Sequence, residues 1–375
     1  MTAPHPHSGF RAISGRWMVV LALLVAAGCR PRPLAETPAH VPSNVPEPYR
    51  GVLVAAEQVS PAACDAWRTQ AECVVLALRG GEHRPSELAG AELIQSRELP
   101  LEYFIEVGRS PELARDHPLW MASLQGHDAW RQRFPEFPQP TKSQIVKAEP
   151  WVPILYREAF AAHLSRIAEL LKDMPAPRRI WLNDLQAAPS ACGCGHPLCR
   201  WTADYGPLCT ATPLGPTAAA EFVVAVQRLA PHTQVVPIFA TECERDDHDT
   251  VCCGIDCYEG KCWHEWTGQL DPLAEVAPQI GVPCFYQLFE RDLSRYGAEA
   301  AWVGAAVKSF AEMPPQRGGT AIPAQRLVCL LQGWEVGEAE VTAQIAEAQK
   351  SGAAGWLLVL TPIDQSWRPR LVERQ

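Results

Sequence analysis

The sequence predicts an α/β fold, a (β/α)8 barrel of the TIM type with long cysteine-rich loops after strands four and five. Three observations carry this. Short apolar runs alternate with helical patterns, the runs number eight, and every long insertion follows a run instead of preceding one. Strands buried on both faces read as continuous apolar runs, and regular strand-helix alternation indicates a parallel sheet.

In order, the runs are GVLVAAE at 51–57, CVVLALRGG at 73–81 and LEYFIEVGR at 101–109, then RIWLNDL at 179–185 and QVVPIFATE at 234–242. VPCFYQLFE at 282–290, RLVCLLQGWE at 326–335 and GWLLVLTPID at 355–364 complete the set. Between them Phe160, Leu164, Ile167 and Leu171 recur at helical spacing, as do Val303, Val307 and Phe310. TAAAEFVVAVQRLAP and EAEVTAQIAEAQKSG also read as helices, the second closed by Gly352. A barrel of this kind needs about 250 residues, more with insertions. The barrel domain is therefore expected over 49–375, its elements lying between 49 and 367. An open doubly wound sheet would need a glycine-rich nucleotide loop after an early strand, and the sequence has none.

The start of the chain speaks to compartment. Residues 1–28 hold Arg11 and Arg16 and no acid, followed by an apolar run from Trp17 to Ala27 that is short for a membrane span. This predicts a secretory signal over 1–28. Its Ala26-Ala27-Gly28-Cys29 ending resembles a bacterial lipobox, in which Cys29 becomes the lipidated first residue; Ala26 stands where leucine is usual. The proline-rich stretch 29–48 reads as a tether. The expected location is the bacterial cell envelope, lipid-anchored and outside the cytosol. Loss of 1–28 moves the formal charge from −9 to −11. With no Lys/Arg-rich run, nucleic acid is not an expected partner.

In a barrel of this type, chemistry sits at the carboxyl ends of the strands. Those ends carry Glu57, Arg79, Glu106 with Arg109, Asn183 with Asp184, Glu242, Tyr286 with Gln287 and Glu290, Gln332 with Trp334 and Glu335, and Asp364. Glu106 and Gln332 lie inside otherwise apolar runs, where an unpaired polar group is costly. Trp120, Trp130, Trp151, Trp201, Trp263, Trp266, Trp334 and Trp367 lie in or beside the same loops, as flat apolar surfaces for a ligand or as packing for the loops.

This arrangement resembles the barrel glycoside hydrolases. In their largest clan the acid/base follows an asparagine ending strand four, and the nucleophile is a glutamate ending strand seven. Asn183-Asp184 and Trp334-Glu335 occupy those places, with Asp where the family has Glu. The resemblance implies Glu335 as nucleophile or base and Asp184 or Glu242 as acid. Glu106, Arg109, Asn183, Tyr286, Gln287, Gln332, Trp334 and Asp364 would hold the carbohydrate. A non-catalytic glycan-binding barrel and a metal-dependent hydrolase are the alternatives.

The loop after strand four holds Cys192, Cys194, Cys199 and Cys209, and the loop after strand five holds Cys243, Cys252, Cys253, Cys257 and Cys262. In an oxidising compartment disulfides are the default. CxCxxxxC with His196, near CWHE at 262–265, could also assemble a structural zinc site. NDLQAAPSACGCGHPLCR resembles the CxCxxC-type loops of secreted hydrolase-like barrels, with a wider last spacing. Either way the cluster reads as scaffolding over the barrel mouth, with no other cofactor expected. Cys64 opens the first helix pattern. Cys73, Cys284 and Cys329 read as small buried residues within strands, and His163 and His232 as structural.

Overall fold

The computed structural model describes residues 48–108, 110–117, 157–183, 217–239, 272–285, 300–311 and 321–362, with Val152, Ile154 and Leu185. The strands are β1 (Tyr49–Val54), β2 (Cys73–Leu78), β3 (Leu101–Glu106), β4 (Arg179–Asn183), β5 (Gln234–Pro237), β6 (Ile280–Cys284), β7 (Leu327–Gln332) and β8 (Gly355–Val359). The helices are α1 (Pro61–Gln70), α2 (Arg84–Ser96), α3 (Pro111–Asp116), α4 (Arg157–Leu171), α5 (Ala218–Leu229), α6 (Ala301–Ala311) and α7 (Glu338–Lys350). All eight predicted strands are present. Each pairs in parallel with its sequence neighbour, and β8 returns to β1 through the registers Tyr49↔Gly355 to Leu53↔Val359. The sheet is a nearly closed barrel.

Among the described residues the β5–β6 seam is the thin one, with an Ile238↔Gly281 bridge and a 2.9 Å bond from Phe239 N–H to the Gly281 carbonyl. The cause lies in the sequence. Along β5 the amides of Val235, Pro237 and Phe239 face β6, and along β6 those of Gly281 and Pro283 face β5. Both prolines lack the N–H a ladder needs.

Alternation sorts the strand side chains into two cores. Leu53, Val75, Phe104, Trp181, Val236, Leu330 and Leu357 fill the barrel interior. The intervening residues, such as Leu76, Ile105, Leu182 and Leu331, pack outward against the helices. Gly281 belongs to the interior set because a Cβ there would stand 2.8 Å from Ile238 Cγ1 and 3.3 Å from Trp181. Local signals place the helices. Ser60 and Ser110 accept from the backbone amides of Ala63 and Leu113, with Pro61 and Pro111 at the first helical position. Gly352, at φ 75°, follows α7 as predicted. Helix α2 was not among the segments expected from periodicity. It carries Gly90 mid-helix and a Pro at its start, which blur the pattern.

The amino-terminal floor of the barrel is polar. Glu102 is fully buried and accepts from Tyr49 Oη at 2.9 Å, Trp181 Nε1 at 2.8 Å and Arg179 Nη1 at 3.0 Å. The Arg179 guanidinium lies 4.6 Å over the Tyr49 ring, and its Nε donates to Gln234. Burial, and then the Glu102 charge, push the Tyr49 phenol well above its ordinary range. Four strands are tied together here, away from the carboxyl ends of the strands.

The signal segment, Cys29 and the tether up to residue 47 lie outside the described residues, as do the nine loop cysteines. Cys64, Cys73, Cys284 and Cys329 are buried free thiols, and the burial of Cys73, Cys284 and Cys329 within strands is what the sequence reading expected. Among the described residues no helix is long and apolar enough to cross a membrane, and no three His, Cys, Asp or Glu side chains could share a metal ion.

Candidate active site

The carboxyl ends of β3 and β4 bring two predicted residues into contact. Glu106 and Asn183 are register partners, and both face the interior by alternation from Phe104 and Trp181. Asn183 Nδ2 donates to both carboxylate oxygens of Glu106, at 3.1 and 3.0 Å. Asn183 is buried and Glu106 half-buried. The Val107 amide adds a 3.0 Å bond to the Asn183 carbonyl, so the pairing runs one residue past the strand. Arg166, from α4, reaches the carbonyls of Glu106 at 2.5 Å and Val107 at 3.4 Å. Burial lowers the pKa of this guanidinium from its ordinary value, against the opposing pull of the Glu106 and Glu112 charges.

Just after β2, Arg79 continues the alternation of Val75 and Ala77, and extending the β2–β3 register by one residue sets it level with Glu106. Its Nη2 meets Glu57 Oε1 at 2.5 Å, so Glu57 is a salt-bridge acid of the rim. Its carboxyl pKa lies below the ordinary value. Its slight burial acts the other way and is outweighed by hydrogen bonds from its own backbone amide and from Arg79, and by the Arg79 charge. The turn after β2 is fixed from behind. Glu87, fully buried in α2, accepts from the Arg79 amide at 2.6 Å and from the Gly80 amide at 3.2 Å. Gly80 sits at φ 72°, a conformation only glycine takes at low cost.

Strand β7 supplies the opposite wall. Gln332 is buried, and its Nε2 donates to the Trp334 carbonyl at 3.0 Å. Its backbone exchanges two 3.0 Å bonds with the Gln344 side chain of α7. Trp334 is only 5% exposed and packs edge-on against Phe285 at 4.9 Å, so it serves as the top of the interior core. Of the eight loop tryptophans named from sequence, it alone falls among the described residues. Glu335 follows on the exposed side with φ 56°, an unusual backbone for a side chain of its kind.

Asp184, Glu242, Arg109, Tyr286, Gln287 and Asp364 lie outside the described residues, as does the Cys192–Cys262 cluster with its disulfide or zinc reading. What the sequence reading missed is the support around the mouth, Arg166 and Glu87, and the Glu102 floor at the opposite end of the barrel. Glu102 and Glu106 share one interior parity in LEYFIE, and that was the signal available for the floor.

No protein-family model matches this chain, and no curated protein matches it either. Among solved structures it is similar to a chitinase from Chromobacterium violaceum, at 10% identity, 85% of this chain, 96% of that one and a TM-score of 0.43. It is similar also to GH5_18 from Streptomyces cattleya in complex with GlcNAc, at 13% identity, 83% and 70% coverage and a TM-score of 0.40. A third is GH26A from a Muricauda species, at 11% identity, 87% and 89% coverage and a TM-score of 0.36. The likeness is one of architecture and assigns no residue a role.

Proposed function

We propose that this protein is an extracytoplasmic, carbohydrate-active barrel that hydrolyses glycosidic bonds with paired carboxylates at its mouth. The observation that carries this reading is the Glu106–Asn183 pair. A carboxylate held by an amide through both oxygens, at the carboxyl end of a parallel barrel, is a preorganised acceptor for substrate hydroxyls.

Glycoside hydrolysis needs two carboxylates in different settings, one protonated to assist the leaving group and one ionised. Glu335 is assigned the nucleophile or base role. It stands at the end of β7 in a positive-φ backbone, a kind of strain that concentrates at functional sites. Asp184, next to Asn183, or Glu242 supplies the acid. Glu106 and Asn183 bind sugar hydroxyls together with Arg109, Tyr286, Gln287 and Asp364. Gln332 and Trp334 shape the wall beneath. Cys29 carries the lipid anchor, and the cysteine cluster, through disulfides or a structural zinc, fixes the loops over the mouth.

The test is Glu335→Gln in the full chain. Loss of glycan turnover with retained glycan affinity is the expected result. Turnover at the wild-type rate removes Glu335 from the mechanism, and binding without turnover in the wild type makes the barrel a glycan receptor.

A further inference from the structure

Beside the barrel mouth, between the turn after β2 and helix α4, lies a cavity of about 360 Å3. Its charges are sorted by depth. Arg79, Arg84 and Arg166 line it and are all half-buried, whereas Glu112, Glu169, Lys172 and Asp173 line it from exposed positions. Glu169 and Lys172 side chains are 75% and 62% exposed, so solvent screens them strongly. The inner wall is thus cationic and the rim mixed.

The arginines are only partly used. Arg166 spends Nη2 on the carbonyls at the end of β3, and Arg84 spends Nη1 on the Glu169 and Leu170 carbonyls that end α4. Arg79 spends Nη2 on Glu57. Among the described residues, the Nε atoms of Arg79 and Arg166 are both buried and have no hydrogen-bond partner. A buried donor without an acceptor is costly, and these two guanidinium groups carry donor capacity that the described residues do not use. Guanidinium groups prefer oxyanions, whose paired oxygens match their N–H fork. Glu87 and Gly80 hold the turn that positions Arg79, so the wall is rigid on that side.

We propose that this cavity binds a compact oxyanion, and that it serves as a subsite for the carboxylate of a uronic-acid unit in the glycan. Arg79 links the two places, since it lines the cavity and stands level with Glu106 at the mouth. The glycan part of the proposal rests on the function proposed above; the anion site itself does not.

The experiment is calorimetric titration of the full chain with sodium D-glucuronate at constant ionic strength, with D-glucose as the neutral control. Three proteins are compared: wild type, Arg79→Gln and Glu112→Gln. Glucuronate binds the wild type and glucose does not. Removing the Arg79 charge weakens binding about fivefold, and removing the Glu112 charge strengthens it by about twofold to fivefold. Opposite shifts from two substitutions on one cavity cannot arise from loss of fold. Absence of glucuronate binding in the wild type, or equal affinity in all three proteins, overturns the proposal. Glucuronate binding without any glycan turnover supports the anion site and counts against hydrolysis. Turnover of neutral glycans without glucuronate binding overturns the anion site alone.

Discussion

Asn183 donates from one amide nitrogen to both carboxylate oxygens of Glu106, at 3.1 and 3.0 Å. The contact crosses from β4 to β3 at the level where the sheet ends, so it sets the direction of a carboxylate facing the mouth. Asn183→Ala removes that constraint on the Glu106 carboxylate. A hydrogen bond to a charged group contributes about 1.5–3 kcal/mol, so kcat/KM falls roughly tenfold to a hundredfold. Thermal unfolding moves only a few degrees, because no charge is left unpaired. A large fall in Tm with unchanged kinetics in the surviving folded fraction would make the pair structural only.

The floor makes the complementary prediction. Glu102 is fully buried and receives donors from Tyr49, Trp181 and Arg179. Glu102→Gln keeps the volume but turns an amide NH2 toward groups that themselves donate, and leaves Arg179 without its counter-charge. Breaking a buried pair from one side costs about 3–5 kcal/mol. Chemical denaturation should show that loss, with KM for glycan unchanged in the folded protein. A cost under about 1 kcal/mol would mean that Arg179 finds water in place of Glu102.

His163 gives stability a pH dependence. It is fully buried in α4, and its Nε2 lies 2.7 Å from the Val152 carbonyl, whose residue is bound in turn to Gly108. Burial first, and the nearby Arg166 charge second, lower its pKa to about 3. In the unfolded chain the ordinary value is about 6.5. Below that, the unfolded state takes up a proton that the folded state refuses. The contribution is therefore complete above about pH 6.5 and is lost as pH falls toward 3, by at most about 1.4 kcal/mol per pH unit. His163→Met should be less stable at neutral pH and show a shallower loss between pH 6.5 and 4.5 in urea unfolding. An equal slope in both proteins would mean that the ring is already charged when folded.

Glu335 sets stability against function. At φ 56° a non-glycine residue carries a backbone cost of about 1–2 kcal/mol, part of which glycine gives back in unfolded-state entropy. Glu335→Gly should therefore recover part of that backbone cost, while turnover disappears. A clear loss of stability would show that the Glu335 side chain holds the β7 turn.

The strands were legible because each is buried on both faces and therefore reads as an apolar run. Their ends were less so. Strand β6 begins at Ile280, two residues before the predicted run, since Gly281 reads as a breaker but is selected by the closeness of Trp181 and Ile238. Helix α2 escaped notice because its apolar face is weak and its start is governed by the Glu87 bonds to Arg79 and Gly80. Glu106 and Asn183 were identified as site residues from their place at strand ends, and the register brings them together. Glu57 was grouped with them, yet Arg79 engages it. Which strand-end acid is paired depends on rotamers and neighbouring helices, which a one-dimensional pattern does not encode. The Glu102 floor was missed for the same reason, since its three donors come from β1 and β4.

The most direct measurement is reducing-end release from a panel of glycans by the full chain, wild type against Glu106→Gln, with folding checked by thermal unfolding. Release by the wild type, reduced roughly tenfold to a hundredfold in a folded Glu106→Gln protein, is the predicted result. No release and no glycan binding by the wild type, or equal rates in the two proteins, would contradict a carbohydrate site built on Glu106 and Asn183.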